Sequence, residues 1–113
     1  MSHHKKFYLG QNGTVFAYGQ TASGKTFTME GLEVHDVAKR GIIPRVAYDI
    51  FDKIYQQPEH MEFIIKISYI EIYMDRIRDL LDPQRDNLPV HEDVHGSCYV
   101  KGTKNVYAYV RSD

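Results

Sequence analysis

Thr14-Val15-Phe16-Ala17-Tyr18-Gly19-Gln20-Thr21-Ala22-Ser23-Gly24-Lys25-Thr26 is the stretch on which the reading of this chain turns. Residues 19–26 fit the phosphate-binding loop pattern G-x-x-x-x-G-K-[ST] in full. Residues 14–18 are β-branched and aromatic and read as a short buried strand. A strand, this loop and then a helix start is the arrangement the pattern needs. Backbone N–H groups of such a loop converge on phosphates, and the helix N-terminus adds partial positive charge. Lys25 can reach the outer phosphates, and the Thr26 hydroxyl can hold Mg²⁺. The bland alternative is a Gly/Ser turn ahead of an ordinary helix, but few chance matches carry this flank.

The chain has 113 residues, one small domain's worth. A net charge of −1 and 42% hydrophobic residues mark a globular rather than a disordered chain. Basic residues are balanced and scattered, which argues against a nucleic-acid binder. No apolar run approaches the roughly 20 residues needed to cross a bilayer, so no membrane partner is expected. The start, Met1-Ser2-His3-His4-Lys5-Lys6, leads into Phe7-Tyr8-Leu9-Gly10 without the long apolar region of a secretory signal. It reads as a cloning remnant or a new translation start. Cys98 is the only cysteine, so no internal disulfide forms and a reducing cytoplasm is the natural compartment.

Beyond the loop, a short helix is expected over 25–30, interrupted at Gly31. Residues 31–41 are polar, of mixed charge and bounded by glycines, and read as a surface loop. A second helix starts near Ile42, with Pro44 tolerated in its first turn. Ile43, Val46, Ala47, Ile50, Phe51 and Ile54 give it one apolar face, and Gln56-Gln57-Pro58 ends it. Residues 62–74 place Phe63, Ile65, Ile67, Tyr69 and Tyr73 on one side and Ile64, Ile70 and Ile72 on the other. That pattern predicts a central strand covered on both faces. Ile77, Leu80 and Leu81 suggest a short helix stopped by Asp82-Pro83. Short strands follow at 88–92, 99–101 and 106–110, with His95-Gly96-Ser97 as a turn. There is no internal repeat. One strong strand, a pre-loop strand and hairpin-like pieces are an awkward inventory for a whole domain. Asp113 comes directly after a strand-like run, and the chain reads as cut from something larger.

His91-Glu92-Asp93-Val94-His95 matches H-E-x-x-H, the zinc metalloprotease pattern, and opens a distant zinc-hydrolase alternative. That chemistry needs both imidazoles one helical turn apart, with the Glu as general base. Pro89 just before and Gly96 just after resist a helix. His35 and His60 are not obvious third ligands. The nine tyrosines are expected to pack in strands and at interfaces. Asp75, Arg76, Arg78, Asp79 and Asp82 read as a solvated helix face with weak ion pairs. Glu71 reads as a paired structural charge, and Met29, Met61 and Met74 as core or lid residues.

The stretch from Asn12-Gly13 through Thr26 closely resembles the kinesin motor-domain phosphate-loop signature. Its Phe-Ala-Tyr-Gly-Gln-Thr part is far more specific than the generic loop and disfavours other phosphate-loop enzymes such as a small kinase. The resemblance continues in family order through Thr28-Met29-Glu30-Gly31, Gly41-Ile42-Ile43-Pro44-Arg45, Ser68-Tyr69-Ile70-Glu71-Ile72-Tyr73 and Ile77-Arg78-Asp79-Leu80-Leu81. Val90-His91-Glu92-Asp93 and Tyr99-Val100-Lys101-Gly102 extend it, so that it covers roughly residues 10–102. It is most similar to conventional kinesin.

The resemblance implies an α/β fragment of a phosphate-loop NTPase, the kinesin motor fold, with a central β-sheet flanked by helices. Gly19, Gln20, Thr21, Ala22, Ser23 and Gly24 would surround the phosphates of ATP, Lys25 would pair with the outer ones, and Thr26 would coordinate Mg²⁺. Phe27 would stack beside the adenine. Residues 31–41 would be an insert loop. The strands and loop over 87–110, above all residues 87–101, would face tubulin, with Arg85, Lys101 and Lys104 as contacts to an acidic microtubule surface.

Gln11 departs from a family position that is usually aromatic, and residues 1–9 match poorly. Residues 94–98 lack a basic residue often found there, and the match fades after Lys104. The family's switch segments, Ser-Ser-Arg-Ser-His-like and Asp-x-x-Gly-x-Glu-like, are not among these residues. Nor are its Arg-x-Arg-Pro-like strand, its neck linker and its dimerisation region. The expectation is therefore a microtubule motor ATPase of the cytoskeleton, whose present stretch folds marginally and does not hydrolyse ATP by itself. The alternative is a stand-alone nucleotide- or tubulin-binding module of kinesin origin.

Overall fold

Two of the three strand ladders among the described residues join strands consecutive in the chain, and the third joins the first strand to the last. In the computed structural model the described residues are Gly10 and 12–112; the basic start, Gln11 and Asp113 lie outside them. The chain divides into two compact units, one up to Gln57 and one from Pro58.

The first unit is helical. Helix α1 (Lys25–Met29) is a five-residue turn, and α2 (Ile42–Tyr55) runs for 14 residues. Both agree with the sequence expectation, and α1 packs on α2. Pro44 sits in the first turn of α2, where its missing N–H costs nothing. Of the predicted apolar stripe, Ile54 is buried, whereas Ile43 and Phe51 remain exposed. Residues 12–19 carry no regular structure, so the predicted strand at 14–18 is not formed. Phe16 and Tyr18 are 82% and 96% exposed. A strand is defined by hydrogen bonds to a neighbour, and no strand among the described residues pairs with this segment.

The second unit is built of strands in three antiparallel two-stranded ladders. These are β1 (Glu62–Ile67) with β6 (Val106–Arg111), β2 (Ile70–Tyr73) with β3 (Arg76–Asp79), and β4 (Val90–Glu92) with β5 (Cys98–Val100). The α/β class holds; of a central sheet, the described residues contain these ladders. The first ladder is the long-range one. Glu62 faces Arg111 with an ion pair of 2.7 Å, and Ile64 faces Tyr109. Both partners of the ion pair are exposed, which limits it to about 0.2–1 kcal/mol. Ser112 is buried beyond the end of this ladder. Its N–H donates to the Met61 carbonyl at 3.2 Å, and its hydroxyl accepts from the Met61 N–H at 3.2 Å and donates to Pro58.

The single strand expected over 62–74 is interrupted at residues 68–69 and becomes β1 and β2. Residues 76–79, which overlap the expected short helix at 77–81, form a strand. The cause is the Met74-Asp75 turn, with φ of 49° and 59°, the left-handed pair that a two-residue type I′ hairpin requires. It folds β3 back so that Ile72 meets Ile77 and Glu71 meets Arg78. So short a helix would be marginal, while the hairpin adds cross-strand pairs. Glu71 is exposed on this hairpin, and Met74 is 80% exposed at its tip, so neither is a core residue. The tyrosines are more exposed than expected, with Tyr55, Tyr73 and Tyr109 all at 60% or above.

Candidate functional site

The loop over 19–26 is a turn locked by its own backbone. The Ser23 N–H donates to the Gln20 carbonyl at 3.1 Å, closing a turn over Thr21 and Ala22. Ala22 and Gly24 both take left-handed conformations, φ 65° and 99°. Left-handed residues interspersed in a loop turn successive N–H groups to one side, the geometry of an anion-binding nest. Gly24 is also the N-cap of α1, and no side chain caps that helix. N–H groups in a first helical turn have no intrahelical acceptor. The Lys25 ammonium folds back over the loop, donating to the carbonyls of Gly19 and, at 2.8 Å, of Gln20.

This donor set fits a polyphosphate. Residues 19–26 hold no acidic side chain, and their cation is poised over the loop. A phosphate oxygen is a stronger acceptor for Lys25 than a neutral carbonyl. The set also fits Mg²⁺, which in phosphate sites keeps waters and phosphate oxygens and takes one or two protein oxygens. Thr26 offers such a hydroxyl on an exposed residue. Phe27, next in α1, is 52% exposed, open to a stacking partner.

The insert over 31–41 is more ordered than a bare surface loop. Gly31 and Arg40 form an isolated bridge, and a 3-10 turn (Val37–Lys39) is capped by Asp36, which accepts from the Ala38 N–H at 3.0 Å. Arg45 in α2 donates to the carbonyls of Val37 at 2.8 Å and Arg40 at 3.0 Å. Arg40 donates to the Val34 carbonyl and lies 4.1 Å above the Tyr48 ring. The role of both arginines as anchors was not read from the sequence; a basic residue on either side of Gly41, the glycine that closes the loop, was the available signal.

In the strand unit, Arg85 and the 101–104 segment come together. The Arg85 guanidinium donates to Asp82 at 3.0 Å and to the Gly102 carbonyl at 2.9 Å. Lys101 and Lys104 are exposed on either side of that carbonyl. Asp79, read from sequence as part of a solvated helix face, is instead fully buried. It accepts backbone N–H bonds from Leu81, Asp82 and Lys104, and the Lys104 bond above all holds its carboxyl below the usual range against the effect of burial. Asp86 is also lowered, chiefly by the Asn87 N–H and then by Arg78.

The H-E-x-x-H segment is a strand and a turn. His91 lies in β4 opposite Tyr99, their ring centroids 6.1 Å apart. His95 lies in the turn that Asp93 caps by accepting from the His95 and Ser97 N–H groups. The pair cannot share one helical face, and no cluster of metal-ligating side chains exists among the described residues. The zinc reading is set aside. Cys98 is a free, exposed thiol. No helix among the described residues is long and apolar enough to cross a membrane.

Comparison with known proteins matches this geometry to one family. The kinesin motor-domain family model matches residues 3–112, so the similarity extends past the 10–102 span of the motifs at both ends. The kinesin heavy chain of Syncephalastrum racemosum is 57% identical over 98 residues, covering 87% of this chain and 10% of its own length. Kinesin heavy chain isoform 5C of Homo sapiens is 63% identical over 93 residues, covering 82% and 10%. A solved structure of a fast kinesin, described for its ATPase mechanism and interactions with microtubules, superposes with a TM-score of 0.85 at 47% identity. It covers 97% of this chain and 30% of that one. The chain thus spans about a tenth of the length of the heavy chains it matches. With the family model matching nearly the whole chain and the fold superposing at 47% identity, this chain belongs to the kinesin motor-domain family.

Proposed function

We propose that this chain carries the nucleotide loop and part of the track-binding surface of a microtubule motor that couples ATP hydrolysis to movement along the cytoskeleton. The observation that carries the proposal is the loop over 19–26, with left-handed Ala22 and Gly24 leading into an uncapped helix and Lys25 folded over it. The backbone N–H groups of residues 20–24 and the Lys25 ammonium would hold the phosphates of ATP. Thr26 would be the protein ligand of Mg²⁺, whose chemistry there is to neutralise phosphate charge. Phe27 would stand beside the adenine. Arg85, Lys101 and Lys104 would meet tubulin, where positive charge favours capture by an acidic surface.

Phosphoryl transfer relies on groups that position the attacking water and stabilise developing charge. The two switch-like segments that would supply them are not in these 113 residues. The chain by itself is therefore proposed to bind Mg·ATP without useful turnover.

The test is equilibrium binding of a fluorescent ATP analogue with Mg²⁺ to the wild-type chain and to Lys25→Ala. Saturable binding weakened by about tenfold or more in the variant supports the reading, since that corresponds to the roughly 1.4 kcal/mol or more expected of one charge-assisted contact. Equal binding by both, or none by either, overturns it for this chain.

A further inference from the structure

We propose that Asp79 is a positioning residue that sets the spacing of the two basic segments, Arg85 and 101–104, presented to an acidic partner. The proposal rests on the tubulin reading above for its consequence, but its geometry stands alone. Asp79 is fully buried, and its two carboxylate oxygens serve different segments. Oδ1 accepts from the N–H groups of Leu81 at 2.8 Å and Asp82 at 3.2 Å, shaping the turn after β3. Oδ2 accepts from the N–H of Lys104, 25 residues further on. The Asp79 N–H donates in turn to the Arg85 carbonyl at 2.9 Å. One residue therefore touches both segments that carry the cations: its main-chain N–H reaches the Arg85 carbonyl, and its side chain reaches the Lys104 N–H and the Leu81–Asp82 turn that leads to Arg85.

Arg85 adds a second tie. Its guanidinium bridges Asp82 and the Gly102 carbonyl, which holds it between the same two segments. The Lys104 ammonium is exposed, but the backbone it hangs from is fixed by Asp79. An acidic surface reads the separation of such charges, so a shift of one segment against the other weakens complementarity without removing any charge.

Asp79→Asn separates position from charge. An Asn side chain has one acceptor oxygen, so it can serve the Leu81–Asp82 side or Lys104, not both. Keeping two bonds rather than one favours the turn, and an NH₂ group then faces the Lys104 N–H. The substitution also removes a negative charge, which by itself would strengthen binding to an acidic partner. A loss of affinity therefore reports geometry. Lys104→Ala is the complement: it removes the charge and keeps the backbone N–H on Asp79.

The experiment measures amide hydrogen exchange and co-sedimentation with polymerised tubulin for the wild-type chain, Asp79→Asn, Asp79→Glu and Lys104→Ala. In Asp79→Asn we expect Lys104 amide protection to fall about tenfold with Leu81 retained. Tubulin affinity should fall about fivefold despite the favourable charge change. Lys104→Ala should lose affinity and leave the Leu81 and Asp82 amides protected. Asp79→Glu, which keeps two acceptors, should recover part of the affinity. Unchanged Lys104 exchange in Asp79→Asn overturns the positioning role whatever tubulin does. Lost protection with unchanged tubulin affinity overturns its consequence for binding. Failure of the wild-type chain to co-sediment overturns the tubulin reading, and the exchange result alone then decides whether Asp79 sets the spacing.

Discussion

The Arg45 guanidinium spans from the first turn of α2 to the Val37 carbonyl, 2.8 Å away, and to the Arg40 carbonyl at 3.0 Å. The insert over 31–41 is thereby tied to the helix that follows it. Arg45→Ala should cost about 1–2 kcal/mol, the range for hydrogen bonds from a charged donor reduced for exposure. The Ala38 and Lys39 amides should exchange faster, while amides in the strand unit stay unchanged. Retained protection at Ala38 would count against the tie.

Two glycines with positive φ should respond differently to alanine. Gly31 has φ 82°, and a Cβ there would lie 2.1 Å from the Lys39 carbonyl oxygen. Gly24 has φ 99°, with nothing within 4 Å of its Cβ position. Gly31→Ala combines strain with a backbone clash and should cost about 3 kcal/mol or more, opening the insert. Gly24→Ala carries the strain alone, about 1–2 kcal/mol. Urea midpoints of the helical unit, read by circular dichroism at 222 nm, should rank wild type above Gly24→Ala and Gly24→Ala above Gly31→Ala.

The Asp79 carboxyl is held below its ordinary value, first by the Lys104 N–H and then by the Leu81 and Asp82 N–H groups, with burial opposing. A depressed carboxylate contributes stability that is fully present above its unfolded pKa. It is lost as pH falls through the lower folded value. The strand unit should hold its stability down to about pH 4 and weaken below it. In Asp79→Asn the acid-induced loss below pH 4 should be shallower. An identical acid slope in both proteins would show that Asp79 does not carry the linkage.

Ile64 is 65% exposed and Tyr109, directly opposite it, is 77% exposed. An apolar pair on an open two-stranded ladder is a template for pairing with another chain. Sedimentation should show concentration-dependent association of the wild-type chain, reduced in Ile64→Lys with its circular dichroism intact. Equal association by both would place the sticky surface elsewhere.

The exposed Cys98 thiol should react stoichiometrically with a thiol reagent in the native state. Stepwise labelling that follows unfolding would contradict its placement at the open face of β5.

Much of this chain is local, and local chemistry can be read from order alone. The loop proposed to hold phosphate needs glycine at a left-handed helix start and a lysine right after it, and Gly24-Lys25 supply both in adjacent positions. Helix α2 follows from apolar spacing and from a proline allowed only in a first turn. The family resemblance rests on the same contiguous residues. Strand partners depend on which distant segments meet. Residues 14–18 have strand-forming side chains but no neighbour among the described residues, so they form none. Residues 62–74 look like one strand, because nothing in an apolar pattern marks the break at 68–69 or makes Met74-Asp75 a left-handed turn. Asp79 looks like a surface charge until Lys104, 25 residues away, brings its N–H to it. Sequence order determined the elements closed by neighbouring residues; tertiary structure decided the pairings whose hydrogen bonds cross long stretches of chain, because a donor's partner there is set by the path of the backbone.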